Sequence, residues 1–194
     1  EIAQINGVAT AEARITKSAI LDIEGFAVPA TGVFISLPAF GENHLNKLYL
    51  KSGRTPEPGS DHEVLVSDGF AKVHGFAVGS EFHAVLNGAK RRFKITGTAL
   101  SPEYIYAIGP GDMMPDDRRF AVIWIREPVL AAATDLNGAF NSVSIKLAKG
   151  ANALFAADEL DRLLAPYGGE KSYLRKTQQS HAFLDAELKQ LWAM

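Results

Sequence analysis

The chain has 194 residues, of which 47% are hydrophobic and 22% charged, and its formal net charge is −2. These proportions are typical of a globular protein, and a chain of this length can bury one large hydrophobic core or two small ones. The near-neutral charge argues against a nucleic-acid-binding protein, which normally has a basic excess. Since there are no cysteines, disulfides, thiolate metal sites and cysteine nucleophiles are excluded.

The first part of the chain is predicted to contain two strands. Residues 1–7 read as the end of a helix that stops at a glycine, and residues 10–23 alternate between apolar and polar types as a long strand does. A turn around Pro29 leads to a second strand over residues 32–37.

The middle of the chain is predicted to be rich in β-structure. Residues 53–59 have the glycine and proline content of turns, and residues 63–66 form a short strand. Ser67 is a plausible N-cap for a short helix that stops at Gly75. Asn87-Gly88 predicts a tight hairpin between strands 81–86 and 91–98, because both residue types tolerate the positive φ of a type I′ turn.

The last part returns to an α/β pattern. Residues 120–125 predict a buried strand, 128–134 a short helix, 142–147 a strand, and 152–165 an amphipathic helix with Asp158 and Arg162 paired outside its apolar stripe. The fold class is therefore predicted to be α+β, with α/β structure formed by both chain ends and a β-rich insertion between them.

Both ends of the sequence look cut, which suggests a domain excised from a longer protein. Residues 183–194 form a predicted helix without a stop signal. Its Leu184, Leu188 and Leu191 are spaced at i, i+4 and i+7. This stripe belongs either to the core or to a seam against a helix that precedes Glu1, and the seam is the favoured interpretation.

Motifs for chemistry are weak throughout the chain. The five histidines are scattered, and neither an HExxH nor a GxSxG pattern occurs. Residues 109–112 (GPGD) do not make a phosphate loop, because Pro110 removes a backbone donor and no good helix start follows. Asp112, Asp116 and Asp117 could bind a hard cation, but a solvated loop paired with the two arginines at 118–119 is favoured.

The segment 101–120 (SPEYIYAIGPGDMMPDDRRF) is the most unusual stretch of the chain. Its Tyr104, Tyr106, Met113 and Met114 are amphipathic or soft side chains on a stretch stiffened by proline. Such residues suit an adaptable contact surface, because aromatic rings offer area and methionine repacks easily. They equally suit burial against a neighbouring strand, and the residues alone leave both possibilities open.

An ordered set of short motifs resembles the MacB-like periplasmic core domain of FtsX-like permease subunits of ABC transporters. The family order is a G-R-x-P turn, an E-V-x-V-S strand, a helix, a V-G-D turn and a strand ending in V-G. The matching pieces here are residues 53–56 (GRTP), 63–67 (EVLVS), 71–75, 78–80 (VGS) and 93–97 (FKITG). Ser80 replaces the usual aspartate and Thr96 a frequent valine, and segment 101–120 resembles only one branch of permeases.

The resemblance implies a two-part domain between two membrane spans. Residues 1–43 and 120–170 would form a porter-like subdomain, 44–119 the inserted β-rich subdomain, and 171–194 a helix that leads to a span. It implies a periplasmic or extracellular location in a cell-membrane protein and no catalysis, cofactor or metal. The implied partners are a cytoplasmic ABC ATPase subunit, a second permease copy, and a periplasmic adaptor or a hydrophobic or lipoprotein cargo.

The function that the resemblance implies is coupling of cytoplasmic ATP hydrolysis to export or extraction of a hydrophobic compound or lipoprotein. An FtsX-type signalling domain that regulates a cell-wall hydrolase is the alternative, and a soluble hydrolase is a weaker one. Under this resemblance, segment 101–120 would return the chain from the insertion to the porter-like part. Tyr104, Tyr106, Met113 and Met114 would then contact cargo, a partner protein or the second permease copy.

Overall fold

A computed structural model of the protein describes residues 1–26 and 29–192. These residues form nine strands, four α-helices and three short 3-10 turns. The strands are β1 (Val8–Arg14), β2 (Thr16–Asp22), β3 (Ala30–Leu37), β4 (Tyr49–Gly53), β5 (Glu63–Ser67), β6 (Glu81–Leu86), β7 (Ala89–Leu100), β8 (Phe120–Arg126) and β9 (Ser142–Leu147). The helices are α1 (Asp68–Val73), α2 (Glu127–Thr134), α3 (Ala153–Leu164) and α4 (Gln179–Trp192), and the turns are Ile2–Gln4, Ala165–Tyr167 and Arg175–Thr177.

Six strands close into a ring. The seven-stranded sheet has the order β4-β7-β5-β8-β3-β2-β6, and β6 pairs back onto β7. Strand β7 is twelve residues long, and β6 pairs with its first half whereas β4 pairs with its last residues. Strand β4 therefore extends outside the ring. Strands β1 and β9 form a separate antiparallel pair.

The central strand β8 is buried on both faces, so the sheet carries a hydrophobic core on each side. All seven β8 residues are buried. One core cluster draws residues from all six ring strands and from α1 and α2, and it includes Ala121, Ile123 and Ile125 of β8. The other lies on the opposite face and includes Phe120, Val122 and Trp124 of the same strand.

Several sequence predictions are confirmed. The α+β class is confirmed by a sheet-rich core with helices packed on it. The Asn87-Gly88 hairpin forms with positive φ at both residues, 50° and 79°. Helix α3 buries Ala156 and Leu160, and its N-cap Asn152 accepts hydrogen bonds from two backbone amides. The predicted pairing of Arg162 with Asp158 was wrong, since Arg162 contacts Glu159 at 2.6 Å.

The long strand predicted over residues 10–23 is instead two strands that belong to different sheets. They meet at Ile15, which is buried. Its N–H donates to the Ser36 hydroxyl and its C=O accepts from the Ser36 amide, each at 2.8 Å. The side chain of Asn141 binds the N–H and C=O of Thr16, again at 2.8 Å. The alternation is regular only as far as Ile15, and residues 16–18 are all polar, but a rough reading of the two-residue period did not separate the two strands.

The predicted division into four segments stays a prediction. The seven-stranded sheet takes strands from residues 1–43, 44–119 and 120–170. Strand β5 of the predicted insertion lies between β7 and β8, so hydrogen bonds cross the boundary at residue 120. Ala193 and Met194, the end of the predicted last helix, lie outside the described residues.

The matched motif residues 53–56 and 93–97 meet where β4 leaves β7. Gly53 is paired with Gly97 across the two strands. A Cβ atom on Gly97 would lie 2.5 Å from the Ser52 carbonyl oxygen and 2.9 Å from a Leu65 methyl carbon. The two glycines are thus required because the two backbones approach too closely for a side chain.

Replacing Gly97 with alanine should destabilise the protein by about 2–4 kcal/mol, because rigid backbone at Ser52 would have to move. The free energy of unfolding in urea measures this. Gly59→Ala is the control, since Gly59 has a positive φ but open space around it, and it should lose only about 1 kcal/mol. Equal losses in the two variants would contradict the close-packing explanation.

Glu63 of the second motif anchors the turn that follows β4. Arg54 donates to both Glu63 carboxylate oxygens at 2.8 and 2.6 Å, and the Glu57 amide donates to one of them at 2.9 Å. The hydrogen bonds from Arg54 lower the pKa of Glu63 to about 2 from 4.5, although burial opposes this shift. The charged form is therefore the one that the folded state stabilises.

This lowered pKa predicts an acid-dependent loss of stability. Since the carboxylate binds its proton more weakly in the folded than in the unfolded chain, its stabilisation is complete above pH 4.5 and is lost as pH falls towards about 2. We expect the urea midpoint of the wild type to fall more steeply across this window than that of Glu63→Gln. Parallel pH profiles would show that the Arg54 contact does not stabilise the fold.

Candidate contact surface

The segment between β7 and β8 covers the face of the sheet that carries Val122 and Trp124, which we call the outer face. Ala107 is buried in the core cluster on that face, and Tyr104 packs against it. Burial raises the pKa of Tyr104 far above its usual value, as expected for a hydroxyl held away from water. The first half of the segment is therefore part of the packing of the fold.

Glu103 is the polar centre of this region. It forms a bidentate ion pair with Arg14 at the end of β1. The Arg14 Nη1 donates to Oε2 of Glu103 at 2.6 Å. Asn46 also donates to this carboxylate, at 3.1 Å. Burial disfavours the Arg14 cation, but the contact with Glu103 outweighs it and raises the pKa of Arg14. Side-chain exposures of 10% for Arg14 and 13% for Glu103 indicate a largely desolvated pair.

Helix α4 is held against the segment mainly by polar contacts. Gln178 donates to the Glu103 carbonyl oxygen at 2.7 Å, and the Tyr106 amide donates to the buried hydroxyl of Ser180 at 2.9 Å. Tyr106 also donates its hydroxyl proton to Glu187, and its ring meets Phe183 edge-on at 4.9 Å. Tyr106 thus contacts α4 through its backbone amide, its hydroxyl and its ring.

A shallow cavity of about 320 Å³ lies at this junction. Its walls come from segment 101–120, from the chain that precedes α4 and from the first residues of α4. The lining residues are Glu103, Tyr104, Tyr106, Ile108, Tyr173, Thr177, Gln178, Gln179 and Ser180.

The structure separates the four residues that sequence analysis grouped together. Tyr104 and Tyr106 are half-buried and make intramolecular contacts, whereas Met113 and Met114 are 90% and 70% exposed. Gln179 of α4 binds the carbonyl oxygen of Asp112 at 2.9 Å, so the two methionines project from a backbone that is held next to the helix. Their contact with a partner stays a prediction.

The acidic end of the segment makes local contacts. Asp116 accepts a hydrogen bond from the Arg118 amide and lies 3.9 Å from Arg119. The Asp117 carboxylate lies so close over Gly69 that any side chain there would collide with it. In the described part of the chain, no group of three or more His, Asp or Glu side chains is arranged to hold a metal ion.

The leucines of α4 differ in burial along the helix. Leu184 is half-buried, whereas Leu188 and Leu191 are 45% and 68% exposed. None of the three leucines belongs to either core cluster, and the proposed seam stays a prediction. None of the described helices is both long enough and apolar enough to cross a membrane.

Sequence analysis missed the polar residues that organise this surface. Arg14, Asn46 and the pair Gln178 and Ser180 come from three regions that are far apart in the chain. No motif connects them, and each belongs to a residue type that is usually exposed. Only the Ser101-Pro102-Glu103 start of the unusual segment drew attention to this place.

Glu103→Gln should lower the free energy of unfolding by about 3 kcal/mol, because it leaves the largely buried Arg14 charge without a carboxylate. Asp22→Asn, which removes the exposed partner of Lys90, is the matched control and should change stability little. Urea unfolding measures both, and a small effect at Glu103 would show that the pair is accessible to water.

No protein-family model and no curated protein matches the sequence. Among solved structures, the extracellular domain of the noncanonic ABC-type transporter YknZ from Gram-positive bacteria matches with a TM-score of 0.52 and 16% identity, over 88% of this chain and 82% of that one. The periplasmic region of MacB from Actinobacillus actinomycetemcomitans matches with a TM-score of 0.48 and 15% identity, over 88% and 72%. A domain of a putative permease protein from Porphyromonas gingivalis gives 0.43 and 18%, over 90% and 75%. The chain therefore has the α+β fold of the YknZ extracellular domain, as the resemblance to MacB-like periplasmic domains implied.

Proposed function

We propose that this chain is the extracytoplasmic domain of an ABC transporter permease, periplasmic or extracellular in location. The observation that carries the proposal is the fold shared with the YknZ extracellular domain over 88% of the chain. The ordered motifs support it independently, because their residues do structural work: Gly53 and Gly97 allow the close strand crossing, and Glu63 binds Arg54. A function in this domain without catalysis fits both observations.

The domain acts by transmitting or receiving motion that a cytoplasmic ABC ATPase drives through the membrane part of the permease. The contacts of α4 support this role. Gln178 and Tyr106 connect the helix to the backbone next to Glu103, and Glu103 is tied to Arg14. A displacement of α4 would reach the outer face of the sheet through this chain of polar contacts, since rigid networks carry such coupling.

The proposed work is export or extraction of a hydrophobic compound or a lipoprotein, performed by a pair of permease copies. Met113 and Met114 are the exposed part of the contact surface for cargo, a periplasmic adaptor or the second permease copy. Exposed methionines suit such a role because their unbranched side chains adapt to different apolar partners. Tyr104 and Tyr106 support the surface from behind through packing and through α4.

Expression of the complete reading frame that encodes this chain tests the proposal. We expect the product to be an integral membrane protein that purifies together with an ATP-hydrolysing subunit. A soluble product, or a membrane protein without an associated ATPase, would overturn the assignment to an ABC permease.

Met113→Asp combined with Met114→Asp should lower transport by the complete transporter about tenfold, as expected when an apolar contact is replaced by charge. The thermal unfolding of the isolated chain should stay unchanged, because both side chains are exposed. Leu154→Asp, at a position 68% exposed on α3, is the control and should transport normally. Normal transport by the methionine variant would remove these residues from the contact surface.

A further inference from the structure

Strand β4 leaves one edge of the large sheet open. In the described part of the chain it pairs with β7 alone, and all five residues of the strand are exposed. The other end of the sheet is closed, because β6 pairs back onto β7. An unpaired strand edge presents a row of backbone donors and acceptors to any extended chain that approaches it.

Apolar side chains flank this open edge. Tyr49 is 66% exposed, and its cross-strand partner Leu100 is 46% exposed. Leu50, on the following position, is 38% exposed. A strand that alternates its side chains between two faces would therefore meet apolar surface as well as free backbone groups here.

The same edge is basic, in contrast to the chain as a whole, whose net charge is −2. Lys47 and Lys51 are exposed, and neither forms an ion pair with another described residue. The Lys51 ammonium lies 6.0 Å from the centre of the Tyr49 ring, so cation and aromatic face share one side of the strand. Charge complementarity favours a partner segment with carboxylates.

Several contacts fix the C-terminal end of β4. The close crossing of Gly53 and Gly97, the hydrogen bond between the Ser52 and Thr98 hydroxyls at 3.0 Å, and the Arg54–Glu63 pair all hold it in place. A preformed edge binds an extended segment without an ordering cost on the receptor side. A second copy of the chain is a poor occupant, because antiparallel pairing of two β4 strands would bring the lysines of both copies together.

From these observations we propose that the open edge of β4 binds an extended acidic segment of a partner protein by strand addition. The segment adds an eighth strand to the seven-stranded sheet. Backbone hydrogen bonds supply the affinity, and carboxylates beside Lys47 and Lys51 on one side of the strand with apolar side chains against Leu50 on the other supply the specificity. This surface is distinct from the methionines at 113–114 and does not depend on their role.

The probe is a capped peptide of about six residues that alternates glutamate with valine, added to the 194-residue chain while amide nitrogen–proton NMR spectra are recorded. We expect shifts confined to residues 47–53 and 97–100 and slower hydrogen exchange of β4 amides. Lys47→Glu with Lys51→Glu should weaken binding about tenfold. The control, Lys146→Glu with Lys149→Glu, makes the same charge change on exposed residues at β9 and should bind as the wild type does.

Two further probes separate strand addition from simpler attraction. The same peptide with every backbone amide N-methylated keeps its charge but cannot pair along either edge, and it should not bind. A peptide that alternates lysine with valine should not bind either. Binding of either of these two control peptides as tight as that of the acidic peptide, or an absence of shifts at millimolar acidic peptide, would overturn the proposal. Binding of phosphatidylglycerol vesicles through Lys47 and Lys51, without binding of the acidic peptide, would assign the edge to a membrane surface instead.

Discussion

Burial of both faces of β8 requires an apolar layer on each side of the sheet, and most of the architecture follows from this requirement. The inner layer is supplied by the closed ring of six strands, with Ile123 facing the ring interior. Among the described residues, the cluster on the outer face contains none from β1 or β9. Trp124 and Val122 on that face are covered by residues of the segment that precedes β8.

The need to cover the outer face of the sheet explains the composition of segment 101–120. Its first half must pack, so Tyr104 and Ala107 face the sheet, and it must also satisfy buried polar groups, so Glu103 pairs with Arg14. In its second half, Met113 and Met114 are exposed before the chain enters β8 at the buried Phe120. Plain burial, one of the two interpretations left open by the residues alone, thus applies to the first half, and contact with a partner stays a prediction for the exposed Met113 and Met114.

Local patterns predicted those elements that the nearby sequence marks. The Asn87-Gly88 hairpin and the capped helix α3 depend on neighbours in the sequence, and the continuous apolar run of β8 marks a buried strand although its partners are distant. Each was found where it was predicted. The break at Ile15 was missed because it depends on Ser36 and Asn141, which are distant in the chain. Strand β4 was missed for a related reason: the chain around it contains turn residues, and only pairing with β7 makes it a strand.

The order of apolar runs, turn residues and motifs determined the α+β class, the hairpin, the main helices and the resemblance to MacB-like domains. These features are encoded by residues close together in the chain, where backbone preference and side-chain periodicity act directly. Tertiary structure alone decided the closure of the ring, the pairing of Glu103 with Arg14, the attachment of α4 through Tyr106 and the open edge of β4. Each of these depends on which distant segments meet, and long-range packing rather than local preference selects those partners.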